Sequence, residues 1–395
     1  MRSIVLSILL FLTCSAQGQE LAIGIMRDYT VSTLEIDHHE GNYAIYGDST
    51  LITNLWKDQK ILFKRNGEKI KVVKSDKTLG FFERIEIREM QAGNALRIQC
   101  LLQVSKKSRK YRNDFVLIPE GDKGIKVVNH VEMENYLGGV IESEGGGGKH
   151  LEYYKVQAIL SRTYALGHLR KHRKEGFQLC DRVHCQAYHN MLIHTSTIKD
   201  AVEATKGVVM LDRHLKLAQG YFFANCGGQT SEADFVWNTP VSHCKSVVDP
   251  FCTDSWQANW TKRIDVNKWK NYLVEQFGYP VNDSIYGPLI YHFKQPMRHA
   301  FYLYPQLGIP LRDLRMHFKL KSTWFSIHKE GNEVVLTGKG FGHGVGLCQE
   351  GAMGMARKNY TAKQILNFYF TEILLMNYFD WNFFRQNDNL EALDL

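Results

Sequence analysis

Between residues 20 and about 130 short apolar stretches recur, among them LAIGIM, NYAIYG, KILFKR, IKVVKS, ALRIQCLLQV, FVLIPE and IKVVNHV, separated by Gly, Asp, Asn and Lys. Alternation at this spacing predicts a β-rich region of short strands. From Lys149 to about Lys174 the pattern changes to a helical one. Leu151, Tyr154, Ala158, Ser161, Ala165 and Leu169 lie along one side, while Val156, Ile159, Leu160, Thr163 and Leu166 cover much of the other. A helix that is apolar nearly all round is a buried helix.

Loops and short strands follow to about residue 260, LKLAQGYFFANCGG being the clearest. Asp265 to Phe277 reads as a surface helix with Asp265 as its cap. The stretch STWFSIHKEGNEVVLTGKGFGHG is a hairpin pattern running into glycines, and a last helix starts at Thr361, where Thr361 and Gln364 stand at capping-box spacing. No repeat or low-complexity tract interrupts the chain. The fold class expected is α+β: a mixed, β-rich domain with a buried helix in the region of the chemistry and a small accessory sub-domain. A length of 395 residues agrees with two sub-domains, since single cores stop growing at roughly 250–300 residues.

The first residues change the picture of where the chain works. Arg2, an apolar run from Ile4 to Leu12 and small residues through Gly18 read as a secretory signal peptide cleaved after Gly18, with Cys14 as a less suitable lipidation site. No stretch has the roughly 18–20 apolar residues of a transmembrane span. Export lets cysteines pair. Of the eight in the chain, Cys14 leaves with the signal, and the odd remainder means a free thiol or a metal site. The net charge is +8, scattered rather than blocked, which suits mild attraction to anionic polymers such as cell wall and argues against a nucleic-acid partner.

Three clusters can carry chemistry. VIESEGGGGKH sets Glu142 and Glu144 ahead of four glycines, which permit close approach of a large ligand. HLRKHRKEGFQLCDRVHCQAYHN places Cys180 and Cys185 among His168, His172, His184 and His189, a set suited to a tetrahedral zinc ion or to a local disulfide. GKGFGHGVGLCQEGAMGMA has neither the Walker ending nor the dinucleotide glycine spacing. It reads either as a tight turn that sets His343 and Gln349 against a bulky substrate or as a glycine-rich structural turn with an ordinary buried histidine.

In order, VVNHVEMENYLGGVIESE, KVQAILSRTYAL, LCDRVHCQAY, NCGGQTSEADFVW, SVVDP, LKSTWF and GKGFGHGVGLCQEGAMGMA resemble the motifs of the stage II sporulation protein D family, the SpoIID/LytB domain. The likeness covers roughly residues 110–372. It implies a division into a signal at 1–18, a β-rich part at 19–110, a SpoIID/LytB-like catalytic region at 111–372 and a C-terminal tail at 373–395. It also implies a peptidoglycan lytic transglycosylase that cleaves between N-acetylmuramic acid and N-acetylglucosamine and leaves 1,6-anhydro-muramic ends. The residue at the end of the family's Ser-Glu step, here Glu144, would be the one acid-then-base, with Glu142 where relatives carry a small residue. Such an acid must begin protonated, which calls for a partly apolar wall; Tyr154, Tyr164 and Phe341 are candidates. The alternative implied by the LytB branch is a non-catalytic wall-binding amidase enhancer.

The resemblance supports a structural zinc on Cys180 and Cys185 with His172 and His184, the adjacency of His184 and Cys185 being awkward. It adds Tyr164, Arg162, Gln186 and Tyr188 to His343 and Gln349 as substrate-binding candidates. Partners implied are peptidoglycan glycan strands and a cell-wall amidase, in a periplasmic or cell-envelope location. Two departures stand out. Gly145 to Gly148 replace the Met-Pro and bulky residue that relatives often have, which lowers the rigidity expected of the catalytic loop. Cys226 and Cys348 replace common serines, which suggests a Cys226–Cys348 disulfide, with Cys244–Cys252 as a second and Cys100 free.

Overall fold

Alternating buried and exposed residues build the first part of the chain into strands, as their period of two requires. The strands are β1 (Glu20–Ile25), β2 (Thr33–Glu40), β3 (Tyr43–Gly47), β4 (Thr50–Leu55), β5 (Lys60–Asn66), β6 (Lys69–Lys74), β7 (Lys77–Phe82), β8 (Ile85–Glu89), β9 (Ala95–Leu101), β10 (Lys106–Arg112), β11 (Asp114–Glu120) and β12 (Gly124–Glu132). The structure, a computed structural model, describes residues 19–101 and 106–391; the signal read at 1–18 lies outside the described residues. One antiparallel sheet runs β1-β12-β11-β8-β3-β4 and the other β10-β9-β2-β5-β6-β7. Their inward positions, such as Ile23, Ile45, Leu117 and Val127 on the first and Ile36, Phe63, Val72 and Ile98 on the second, are buried. The described residues fall into two compact units, divided between Tyr136 and Leu137.

Helix α1 (Met133–Gly145) spans the change of unit. The second unit continues with α2 (Leu151–Gly167), β13 (Leu179–Cys180), α3 (Ser196–Ala204), β14 (Val208–Leu211), β15 (Phe222–Phe223), α4 (Asp234–Trp237), β16 (Asn259–Asp265), α5 (Val266–Phe277), α6 (Tyr286–Leu289), α7 (Leu311–His317), β17 (Phe325–Glu330), β18 (Glu333–Lys339), β19 (Leu347–Cys348), α8 (Gln349–Arg357), α9 (Ala362–Tyr369), β20 (Leu374–Asn377) and α10 (Tyr378–Glu391). The fold is mixed α+β, as the sequence pattern predicts.

Helix α2 is buried on nearly every side, from Tyr153 to Leu166, and packs against α3, β14, α8 and α9. Its first turn is fixed twice. The His150 side chain accepts from the Glu152 N–H, and the Glu152 carboxylate accepts from the Ala362 N–H at 2.6 Å while pairing with Lys155. Asp265 caps α5 by accepting from Asn267 N and Lys268 N, and Thr361 and Gln364 form the reciprocal capping box of α9. The β16-β18-β17 sheet and α5 to α7 enclose a core of their own around Trp269, Tyr302 and Leu314. Residues 374–377, read as tail, form β20 and pair antiparallel with β14. No helix among the described residues is long and apolar enough to cross a membrane.

Candidate functional site

Glu142 and Glu144 lie in the last turn of α1, the end of a helix that disfavours negative charge. The loop at 187–194 meets that turn with backbone N–H groups. Glu142 is committed on both oxygens: Ile193 N donates to Oε2 at 2.8 Å and His194 N to Oε1 at 3.0 Å. His189 N donates to Ser143 Oγ at 3.2 Å. Glu144 is half-buried and accepts through Oε1 from Ala187 N at 2.7 Å, while among the described residues its Oε2 takes no hydrogen bond. One acid is therefore structural in its contacts, and the other keeps an oxygen for something else.

The wall beside Glu144 is not the one expected. Tyr153 is the buried ring at this end of α1, its hydroxyl 3.6 Å from the place a Cβ on Gly145 would take. Its position one residue before Tyr154 hid it, because helical spacing put Tyr154 on the stripe. Tyr154 does something different: its hydroxyl donates to Gly146 O at 2.9 Å and accepts from Lys149 N at 3.0 Å. It thus ties down the glycine loop, where Gly146 and Gly148 hold φ of +63° and +74°, a region open to glycine at no steric cost. Tyr164 stacks on His168 and receives a bond from Lys171 Nζ. Phe341 is 40% exposed and lies under Lys321, and its backbone exchanges hydrogen bonds with that of Asn225.

His172, Cys180, His184 and Cys185 converge, their ligand atoms all within 4.8 Å of one another. Cys185 Sγ is 3.4 Å from His172 Nε2, and His184 Nδ1 is 3.8 Å from Cys180 Sγ and 3.9 Å from Cys185 Sγ. His172 Nδ1 is held by the Glu175 carboxylate at 2.5 Å, which orients Nε2 toward the thiols as the outer partner of a metal-binding histidine does. Two thiols and two imidazoles suit a four-coordinate ion. The neighbouring thiol pushes the Cys180 thiol down to about 4, with His184 assisting, and the same neighbour raises Cys185. Only Gln186 separates Cys185 from Ala187, so this cluster anchors the loop that holds Glu144.

The other expected residues have interior contacts. Arg162 is 1% exposed and donates to Val208 O at 3.0 Å, linking α2 to β14. Gln186 and Tyr188 are buried. His343, expected against substrate, has both ring nitrogens on backbone: Nε2 on Phe222 O at 3.0 Å and Nδ1 on Val345 N at 3.1 Å. It sits between Phe223 and Trp237, and burial pushes its pKa down to about 4. The glycines around it serve close backbone packing. A Cβ on Gly346 would stand 2.3 Å from Tyr221 O, and one on Gly340 2.7 Å from Asn225 O. Gln349 is the first residue of α8.

The described cysteines are free thiols. Cys244 directs its thiol at Gln219 O rather than at Cys252, and Cys252 lies 3.2 Å from Cys226. A cavity of about 430 Å³ opens nearby, lined by Lys149, Cys252, Glu350, Arg357 and Lys358 among others; Glu144 is not in its lining.

The stage II sporulation protein (SpoIID) family matches residues 121–211, which include α1, the glycine loop and the Cys/His cluster. An uncharacterized protein of Brachyspira hyodysenteriae is 30% identical over 273 residues, 68% of this chain and 73% of that protein. Stage II sporulation protein D of Bacillus subtilis is 25% identical over 282 residues, 67% and 80% of the two chains. The amidase enhancer of Bacillus subtilis is 26% identical over 292 residues, 61% and 40%. The chain belongs to the SpoIID family.

Proposed function

We propose that the chain is an exported lytic transglycosylase of peptidoglycan, with Glu144 as its one acid and base. The observation that carries this reading is the division between the two glutamates: Glu142 spends both oxygens on backbone N–H groups, whereas Glu144 keeps Oε2 unengaged beside Tyr153. In the first step Glu144 gives its proton to the glycosidic oxygen between N-acetylmuramic acid and N-acetylglucosamine as the C1–O bond breaks. The muramic 6-hydroxyl then attacks C1, and its proton goes to Glu144, which restores the acid and closes a 1,6-anhydro ring. No water enters, so the second carboxylate of a hydrolase is not needed. Ala187 N–H fixes the carboxyl group, and buried Tyr153 lies at the same end of α1. Zinc held by His172, Cys180, His184 and Cys185 would supply structure, not chemistry, fastening the loop that carries Ala187.

The amidase enhancer of Bacillus subtilis, 26% identical here, supports a second reading, in which the chain binds wall glycan and stimulates an amidase without cutting. Incubation with glycan strands, with and without their peptides, separates the two: the first yields 1,6-anhydro-muramic ends, the second no new ends unless an amidase is added.

A further inference from the structure

A second group of metal-ligating side chains lies elsewhere in the same unit. Parallel pairing of β15 with β19 sets Phe223 beside Cys348, so the residues that follow β15 arrive next to the start of α8. There Cys226, Cys252, Cys348 and Asp249 are all buried, with one ligand atom from each within 4.8 Å of the others. Cys226 Sγ is 3.2 Å from both Cys252 Sγ and Asp249 Oδ2.

We infer that these four residues form a second, closed, structural site for a zinc-class divalent ion. Tetrahedral zinc with bonds of about 2.3 Å to sulfur requires sulfurs roughly 3.8 Å apart, which sub-ångström shifts reach from here. Loading displaces the three thiol protons to solvent and leaves Asp249 as the fourth ligand. Backbone N–H groups already point at two of the sulfurs. Cys348 Sγ accepts from Cys226 N at 3.2 Å and Gly351 N at 3.3 Å, and Cys226 Sγ accepts from Gly228 N at 3.4 Å. Asp249 is oriented by Tyr369 Oη on Oδ2 and Phe251 N on Oδ1, each at 2.8 Å.

A second observation independently points to negative charge at this place. Arg298 is buried, yet its guanidinium bonds only to Gln229 O, Cys226 O and Thr323 Oγ1 and lies over Trp324. No carboxylate among the described residues pairs with it. A buried cation requires a compensating charge, and a metal bound by three thiolates and a carboxylate carries a net negative one. A Cys226–Cys252 disulfide would use two of the four groups, has no use for the carboxylate and leaves Cys348 behind. The ion would tie the start of α8, and hence Gln349, to the segments at 226 and 249–252.

The test is zinc content of the purified full-length chain, with thiol titration and peptide mapping. Two zinc ions per chain are expected in the wild type, falling to one in Cys252→Ser and in Asp249→Asn. A double variant, Cys180→Ser with Cys185→Ser, should keep one ion and, loaded with cobalt(II), still show sulfur-to-cobalt charge-transfer absorption. The inference is overturned by a wild type with a single zinc ion that the double variant loses, by a mapped disulfide between Cys226 and Cys252, or by Asp249→Asn retaining both ions. Because the wild-type count and the double variant do not depend on the folding of Cys252→Ser, a misfolded variant does not shelter the claim.

Discussion

The two glutamates of α1 should respond to the same substitution in opposite ways. In Glu144→Gln the amide oxygen can keep the 2.7 Å bond from Ala187 N, so the fold loses only the difference between a charged and a neutral acceptor, about 1 kcal/mol. Catalysis loses its proton donor and acceptor together, a fall of roughly 10²- to 10⁴-fold. In Glu142→Gln one of two accepting oxygens becomes an NH₂ facing Ile193 N–H or His194 N–H. Leaving a donor unpaired costs about 1–3 kcal/mol, and the lower end applies because Ile193 and His194 are exposed. Thermal unfolding followed by circular dichroism, beside release of fragments from glycan strands well below Tm, reads both effects. Glu142→Gln should lower Tm by a few degrees while cutting glycan at near wild-type rate; Glu144→Gln should do the reverse. Equal loss of activity in both folded variants would refute the assignment of a single acid.

Tyr154→Phe removes the hydroxyl that joins Gly146 O to Lys149 N; kcat should fall more than stability, which should drop by about 1–2 kcal/mol, as paired kinetics and denaturant titration would measure. Chelation, or Cys180→Ser, should lower Tm and activity together because the Ala187 loop loses its anchor, and restoring zinc to the chelated wild type should recover both. His343 gives a pH dependence of definite sign. Its pKa falls from 6.5 in the unfolded chain to about 4 in the folded one, so it adds no penalty above pH 6.5 and an increasing one as pH falls toward 4, on the order of 3 kcal/mol at most. His243, also lowered by burial, acts in the same direction. Urea midpoints measured from pH 7 to 4 should decline in the wild type and decline less steeply in His343→Gln.

Elements with a strong local signal were legible. The period-two stretches became the strands of the first unit, the all-round apolar run became buried α2, and Asp265 and Thr361 cap the helices they precede. Helix α1 was not, because IESEGGGG looks like a loop, and nothing local shows that N–H groups of residues 187–194 bond the side chains of its last turn. The convergence of His172, Cys180, His184 and Cys185 was readable since all four fall within one short segment. The meeting of Cys226, Asp249, Cys252 and Cys348 was only half readable. Family motifs suggested that Cys226 and Cys348 share a neighbourhood, but nothing local says that β15 lies parallel to β19 or that Cys252 turns away from Cys244. His343 could be read either way, as facing a ligand or as an ordinary buried histidine among glycines; it is half-buried, with both ring nitrogens on backbone groups.

The proposed reaction is tested most directly by the chemistry of the ends it leaves. Purified chain, with its zinc content established, is incubated with peptidoglycan glycan strands, and the fragments are separated and weighed by mass spectrometry beside those from Glu144→Gln. Fragments ending in 1,6-anhydro-muramic acid, absent with Glu144→Gln, are the predicted result. Reducing muramic ends, or intact strands after treatment with the folded, zinc-loaded wild type, would contradict it.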